Sequence, residues 1–168
     1  MIRGSIPCTW DQQFVEKLNY KYRQYTTDNH ARLVIPQDIN RYNIAFWMAR
    51  DLPIEDFNFI NENFRWLKKK HFQINKFEPG HISPMHIDQY PYYSQLHNLQ
   101  DDNEIVRVII FMQDWKNGHY LEVEDTGITN WKAGDWVAWD LNTPHIAANI
   151  GLTDRYTMQL TGIKHDIE

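Results

Sequence analysis

The sequence is poor in cysteine, in basic residues and in long apolar runs, and each shortage excludes a class of protein. Cys8 is the only cysteine, so the chain can form neither an internal disulfide nor a cysteine-based metal cluster. Its 17 Lys and Arg against 22 Asp and Glu give a net charge of −5, which does not favour non-specific nucleic-acid binding. The longest apolar run, residues 44–49, is far too short to span a bilayer, and residues 1–13 lack the apolar core of a secretory signal. The sequence therefore predicts a cytoplasmic protein with no membrane partner.

The amino-acid composition is that of an ordinary globular protein. Of its 168 residues, 42% are hydrophobic and 23% are charged, which suits one domain with a sizeable core. Neither an internal repeat nor a Gly/Ser/Pro-rich linker divides the sequence. We predict a single domain, 1–168, whose pattern changes near residue 71 from helical (1–70) to short β segments (71–164).

Three helices are predicted in the first part of the chain. The first runs from Thr9 to about Gln24, where apolar residues recur at three- and four-residue spacing. The second covers residues 40–50. The third begins at Pro53, a residue suited to a first helical turn, and ends at the Lys68–Lys70 run, whose charge suits a helix C-terminus.

The second part of the chain is predicted to form about eight short strands. Turn signals at Asn117-Gly118 and Gly134-Asp135 separate several of them. Helices followed by short strands indicate an α+β fold in which N-terminal helices pack against a closed or sandwiched β unit. The main candidate strands are residues 72–77, 84–89, 105–112, 120–124, 136–139, 144–149 and 155–162.

The segment His86-Ile87-Asp88 is the first metal-binding candidate. In a strand, side chains two residues apart share a face, so His86 and Asp88 could bind one metal ion. A second imidazole from His145 would complete a set of two histidines and one carboxylate, which suits Fe(II) and leaves coordination positions open. A His-x-Asp/Glu pair is expected by chance in a chain with 8 His and 22 acidic residues, so the motif depends on its context.

The context comes partly from the last two predicted strands. If they form a hairpin centred near Ile150, His145 lies opposite Arg155, and Thr157 shares a face with Arg155. A guanidinium at that place could bind a carboxylate through two parallel hydrogen bonds.

The ordered set of short segments resembles a known family. Residues 72–163 resemble the double-stranded β-helix (jelly-roll, cupin-like) core of 2-oxoglutarate/Fe(II)-dependent oxygenases of the prolyl-hydroxylase-like group. One departure is that His119 and Tyr120 follow the turn glycine Gly118, where many relatives have a second glycine. The segments that carry the resemblance are Phe77-Glu78-Pro79-Gly80, Met85-His86-Ile87-Asp88, residues 107–112, Asn117-Gly118, Ala133-Gly134-Asp135, residues 144–151 and Arg155-Tyr156-Thr157.

The resemblance implies a set of roles. His86, Asp88 and His145 would bind Fe(II), and the distal carboxylate of 2-oxoglutarate would pair with Arg155, assisted by the Thr157 hydroxyl. Tyr93 is the candidate cosubstrate contact among three tyrosines that follow the metal motif. With O2, the enzyme would convert 2-oxoglutarate to succinate and CO2 while hydroxylating an unactivated C–H bond.

Several alternatives stay open at this stage. The resemblance favours a protein or peptide side chain (Pro, Asp or Asn) as substrate, with a free amino acid or small metabolite as the first alternative. A non-catalytic cupin-like binding module is the second alternative. Arg107 could hold a substrate or cosubstrate carboxylate or form a structural ion pair. The sequence assigns no role to His81, Tyr90 or Tyr92, and no oligomeric state.

Overall fold

The computed structural model describes residues 1–24, 44–99 and 105–165. Within these ranges the chain forms eleven strands, three short α-helices and one 3-10 turn at Ile54–Phe57. The helices are α1 (Gln12–Glu16), α2 (Phe59–Asn63) and α3 (Pro91–His97). The strands are β1 (Ile2–Ser5), β2 (Lys21–Gln24), β3 (Ala45–Ala49), β4 (Leu67–Phe77), β5 (Ile82–His86), β6 (Ile105–Phe111), β7 (His119–Val123), β8 (Thr126–Ile128), β9 (Asp135–Asp140), β10 (His145–Asn149) and β11 (Arg155–Lys164).

The strands form two facing antiparallel sheets. The large sheet has the order β1-β9-β6-β11-β4-β3-β2, and the small sheet has the order β5-β10-β7-β8. Consecutive strands such as β5 and β6, or β10 and β11, lie in different sheets. The chain therefore winds between the sheets, and the predicted double-stranded β-helix core is confirmed.

The inner and outer faces of the large sheet differ in polarity. In the register of β4 with β11, Phe77 is paired with Arg155, Asn75 with Thr157 and Gln73 with Gln159. These side chains line a cavity between the two sheets, whereas the alternate positions, Ile74, Met158 and Leu160, belong to a buried apolar cluster. On β4 and β11 the period of two thus places mainly polar groups inside and apolar groups outside.

The outer apolar face is covered by the N-terminal part of the chain. Phe57, Phe59, Ile60 and Phe64 are buried in the same cluster as the outward side chains of β4 and β11. A second cluster, which includes Phe111, lies between the sheets. These residues of the N-terminal segment therefore form a buttress against the large sheet, and its secondary structure differs from the predicted helices.

The long N-terminal helices predicted from the sequence are wrong. The first helix ends at Glu16 and residues 21–24 form β2; the second prediction falls on β3, with residues 40–43 outside the described part; and the third ends at Asn63, so that Lys68–Lys70 lie in β4. The start of α1 is set by Asp11, whose side chain accepts a hydrogen bond of 2.9 Å from the Gln13 N–H. None of the helices in the described residues has the length and apolar character to span a membrane.

One aromatic pair shows why the helical prediction failed. Tyr22 on β2 is the register partner of Trp47 on β3, and their ring centroids lie 5.1 Å apart. Such cross-strand aromatic pairs stabilise sheets, and their residues also fit an apolar helical stripe when only the sequence is considered. The antiparallel pairing of β3 with β4 favours a strand over a helix for this segment.

Candidate metal centre

Three predicted ligands converge at one end of the space between the sheets. His86 ends β5 and His145 begins β10, and the two are register partners in the small sheet. Asp88 follows two residues after the end of β5. One ligand atom from each residue lies within 4.8 Å of the others. The Nε2 atoms of His86 and His145 lie 3.5 Å and 3.7 Å from the Asp88 carboxylate.

The position of Asp88 is a correction to the strand argument. The prediction placed His86 and Asp88 on one extended strand over residues 84–88. In the structure the strand ends at His86, so the loop before α3, rather than strand alternation, brings the carboxylate to the imidazoles.

Backbone carbonyls orient both imidazoles. Nδ1 of His86 lies 2.7 Å from the Pro84 carbonyl oxygen, and Nδ1 of His145 lies 3.0 Å from the Thr143 carbonyl oxygen. A carbonyl can only accept, so Nδ1–H donates and the lone pair of Nε2 is directed to the centre. Burial lowers the pKa of His145 to about 4, which keeps its ring neutral and able to bind a metal.

A guanidinium holds the carboxylate in place. Arg107 Nε donates a 2.8 Å hydrogen bond to Oδ2 of Asp88, and the Tyr90 hydroxyl donates to the same oxygen at 3.2 Å. Burial by itself would raise the pKa of Asp88, but the Arg107 charge and the histidines hold that pKa well below its usual value. Of the two roles considered for Arg107, the structure contains the ion pair.

A cavity of about 440 Å³ extends from these residues along the inside of the large sheet. Arg155 lines it from the first position of β11 and is 1% exposed. Its Nε and Nη1 atoms have no hydrogen-bond partner among the described residues. The guanidinium carbon lies 5.4 Å from the ring centroid of Phe77 and 5.6 Å from that of Trp131. Burial lowers the pKa of Arg155 to about 10, so the group is still a cation at neutral pH.

The predicted hairpin of the last two strands is wrong. β10 pairs with β5 and β7, whereas β11 pairs with β4 and β6. His145 and Arg155 therefore do not face each other across a hairpin; they line one cavity from opposite sheets. Arg155 and Thr157 do share a face, because both line the cavity from β11.

The tyrosines after the metal motif have separate positions. Tyr93 is 5% exposed, and its hydroxyl donates a 2.8 Å hydrogen bond to the Lys69 carbonyl oxygen. Its predicted contact with the cosubstrate stays a prediction, and the hydroxyl already has a partner. Tyr90 contacts Asp88 as described, and Tyr92, at 63% exposure, lines the outer part of the cavity.

Sequence reasoning missed a group of cavity residues on β4 and β11 and directly after β3. Their signal was the alternation of polar with apolar residues along β4, in which Gln73 and Asn75 flank Ile74. The residues that were missed are Arg50, Gln73, Asn75 and Gln159.

Comparison with known proteins agrees with the fold. Neither a family model nor a curated protein matches the sequence. An oxidoreductase of the 2OG-Fe(II) oxygenase family from Burkholderia pseudomallei is similar in structure, with a TM-score of 0.59 and 12% identity over 92% of this chain and 77% of that chain. A predicted oxalate decarboxylase from Thermotoga maritima has a TM-score of 0.50 and 13% identity over 89% of this chain and 96% of that chain.

These likenesses show a fold. The chain is a double-stranded β-helix protein. At such identities they give no support to the narrower prolyl-hydroxylase-like group, so that part of the sequence resemblance is not carried forward.

Proposed function

We propose that this protein is an Fe(II)- and 2-oxoglutarate-dependent dioxygenase that hydroxylates an unactivated C–H bond and releases succinate and CO2. One observation carries the proposal. The cluster of His86, Asp88 and His145 lines the same cavity as Arg155, a buried cation with unpaired N–H groups.

The donor set fits ferrous iron. Two imidazole nitrogens and one carboxylate oxygen within 4.8 Å match the two-histidine, one-carboxylate set of non-haem Fe(II) oxygenases. Bound by these residues, the iron would supply the activation of oxygen for C–H hydroxylation, coupled to oxidation of 2-oxoglutarate. Arg107 and Tyr90 occupy Oδ2 of Asp88, which leaves Oδ1 as the oxygen available to a metal.

The far end of the cavity fits a carboxylate. Leaving a buried N–H without an acceptor costs about 1–3 kcal/mol, and more for a charged group. The two unpaired nitrogens of Arg155 would be satisfied by the distal carboxylate of 2-oxoglutarate, with Thr157 two residues along the same face. Aromatic rings lie beside Arg155 and beside the metal centre and limit the entry of water. For example, the ring centroids of Trp139 and His145 lie 4.8 Å apart.

Two further features stay predictions. The preference for a protein or peptide side chain (Pro, Asp or Asn) as substrate rests only on the sequence resemblance to the prolyl-hydroxylase-like group, and a free amino acid or small metabolite is the alternative. A non-catalytic cupin-like module is the competing function, since it would have the same fold and could bind a metal without turnover.

The experiment is anaerobic loading with Fe(II) and 2-oxoglutarate, followed by oxygen, with succinate measured and candidate substrates screened for the gain of one oxygen atom. We expect succinate to form only with iron and to be abolished by His86→Ala, which leaves the Asp88–Arg107 pair in place. Asp125→Ala is a surface control for substitution by alanine, because Asp125 is exposed in the β7–β8 turn.

Two results would contradict the proposal. Equal succinate formation by His86→Ala and the wild type would remove His86 from the centre. Iron binding without any succinate formation would favour the binding module.

A further inference from the structure

Three amide side chains lie in series on the inner face of the large sheet, between two arginines. Gln73 and Asn75 come from β4 and Gln159 from β11, and all three line the cavity described above. Arg50 lies at one end of the series and Arg107 at the other. We call these three amides the amide wall.

The hydrogen bonds run in one direction along the wall. Arg50 Nε donates to Gln73 Oε1 at 2.9 Å, and Gln73 Nε2 donates to Asn75 Oδ1 at 3.0 Å and to Gln159 Oε1 at 3.1 Å. Asn75 Nδ2 also donates to Gln159 Oε1, at 2.8 Å. The remaining amide position of Gln159 lies 2.9 Å from Arg107 Nη2.

This series cannot satisfy both ends at once. An arginine only donates, and an amide offers an oxygen on one side and N–H groups on the other. When the Gln159 oxygen accepts from Asn75 and Gln73, its NH2 group faces the Arg107 guanidinium. With Gln159 turned over, its oxygen accepts from Arg107, but its NH2 group faces the NH2 groups of Asn75 and Gln73. Turning Gln73 as well would place its NH2 group against Arg50.

The charged side chains around the cavity also contain more hydrogen-bond donors than acceptors. The described side chains that line it include three arginines and one aspartate. Asp88 is paired with Arg107, and Arg155 faces the proposed cosubstrate end. Arg50 contacts Gln73 and forms no ion pair with any acidic residue of the described chain. Asp51, its neighbour in sequence, lines the adjoining cavity instead.

Arg50 is exposed and lines the cavity, and one hydrogen bond to Gln73 orients its guanidinium. Its Nε is engaged with Gln73, so the edge formed by its two terminal nitrogens is left for a planar acceptor. A carboxylate matches that edge and accepts two hydrogen bonds from it. The cavity volume of about 440 Å³ lies within the range of roughly 300–1,000 Å³ that is typical of small-molecule sites.

We propose that the amide wall and Arg50 bind the carboxylate of a small organic acid. With all three amides turned over, Gln159 gives Arg107 an acceptor and the NH2 group of Gln73 faces Arg50; the carboxylate then accepts from both of these donors. If the proposed oxygenase function holds, this acid is the substrate. Only its assignment as substrate rests on the proposed function; the binding site does not. A free acid of amino-acid or metabolite size is thereby chosen over a peptide side chain, and it would lie between Arg50 and the metal centre.

The test compares matched acids and amides. The probes are hexanoate with hexanamide, benzoate with benzamide, and N-acetylglycine with its amide, titrated by ligand-observed NMR. They are added to the metal-free protein and to protein loaded with Mn(II) and saturating N-oxalylglycine, a dicarboxylate analogue of 2-oxoglutarate. For at least one pair we expect the acid to bind at least tenfold more tightly than the amide in both preparations. Absence of any acid preference overturns the proposal.

Three arginine variants locate the site. In the protein loaded with Mn(II) and N-oxalylglycine, where the analogue occupies Arg155, Arg50→Gln is expected to reduce the acid-to-amide ratio to near one. Arg65→Gln removes the same charge from an exposed position outside the cavity and should leave the ratio unchanged. Metal-free Arg155→Met lacks the other unpaired cation of the cavity and should still prefer the acid; loss of the preference there, or its survival in loaded Arg50→Gln, would place the acid elsewhere and overturn the proposal.

A fourth variant tests the donor excess itself. Gln159→Glu places a carboxylate inside the wall, where it accepts from both sides. We expect a higher melting temperature without ligand and loss of the acid preference, whereas Gln24→Glu, an exposed change of the same charge, should do neither. An unchanged acid preference in Gln159→Glu would contradict the proposal.

Failure of this proposal is distinguishable from failure of the oxygenase function. Acid preference without succinate formation would keep the carboxylate site and reject the oxygenase. Succinate formation without acid preference would do the reverse.

Discussion

Arg107 Nε and Asp88 Oδ2 lie 2.8 Å apart and join the two sheets of the double-stranded β-helix. Arg107 belongs to β6 of the large sheet, and Asp88 follows β5 of the small sheet. The Arg107 guanidinium also donates to the Thr161 hydroxyl and lies 4.8 Å from the ring centroid of Tyr90. A buried cation therefore both compensates the candidate metal ligand and fixes which of its oxygens is free.

The first prediction concerns the removal of this cation. Arg107→Met should lower the free energy of unfolding by about 3–5 kcal/mol, because it leaves a largely buried carboxylate without its cationic partner. Urea unfolding of the metal-free protein measures the change. Adding Asp88→Asn to the variant should restore part of the loss, which a double-mutant cycle would show as a coupling energy. A loss below about 1 kcal/mol would mean that water compensates Asp88.

Much of the candidate site was predictable because its signals are local. The His86/Asp88 pair and His145 are brought together as predicted. The turn signal at Asn117-Gly118 does precede a strand, β7. The three metal-ligand candidates were found because His and Asp are typical metal ligands, which requires no knowledge of strand order.

The strand partners were not predictable, because they depend on the whole topology. Equal spacing about Ile150 is compatible with a hairpin, yet β10 and β11 belong to different sheets. Arg155 lines the same cavity as His145 all the same, because consecutive strands of a double-stranded β-helix can line one space from opposite sides.

The amide wall was missed for a related reason. A period of two states which side chains share a face, but not which face is inside. The usual expectation of an apolar interior assigns Ile74 to the inside and Gln73 to solvent. Here the N-terminal buttress covers the apolar face, and the polar face surrounds the cavity.

The second prediction follows from the burial of Arg155. Arg155→Met removes a buried charge with two unpaired nitrogens, so the unliganded protein should become more stable by about 1–3 kcal/mol. The same variant should lose the rise in melting temperature that N-oxalylglycine gives the wild type in the presence of Mn(II). Arg3→Met, at an exposed position on β1, should change neither quantity. Retained stabilisation by the analogue in Arg155→Met would remove Arg155 from the cosubstrate site.

The third prediction is a pH dependence of stability in the metal-free protein. His81 is 5% exposed, and its Nδ1 accepts a 3.2 Å hydrogen bond from the Glu78 N–H. Burial lowers the pKa of His81 below its ordinary value of 6.5, so the unfolded chain takes up a proton before the folded one. Stability from this residue is fully present above pH 6.5 and is lost as the pH falls through the folded-state pKa.

Denaturant unfolding between pH 7.5 and pH 5 would measure this dependence. His81→Gln keeps a hydrogen-bond acceptor but cannot be protonated, so its free energy of unfolding should fall less steeply with decreasing pH. Parallel slopes for the variant and the wild type would assign the dependence to other groups.

The fourth prediction compares two glycines with the same backbone conformation. Gly118 and Gly80 have φ values of +89° and +88°, a region that residues with a Cβ adopt only with strain. A Cβ at Gly80 would meet nothing within 4 Å, whereas a Cβ at Gly118 would lie 2.3 Å from the backbone of Gly151. Gly80→Ala should therefore cost only the strain, about 1–2 kcal/mol.

Gly118→Ala should cost the same strain and also an overpacking penalty of about 1–3 kcal/mol. The Ile150 N–H donates a 2.9 Å hydrogen bond to the Gly118 carbonyl oxygen, so the added methyl group would separate the turn before β7 from the turn after β10. Unfolding in urea at fixed pH gives both values, and their difference isolates the contact because the conformational strain is shared. Equal losses in the two variants would show that the Gly151 turn moves aside without cost.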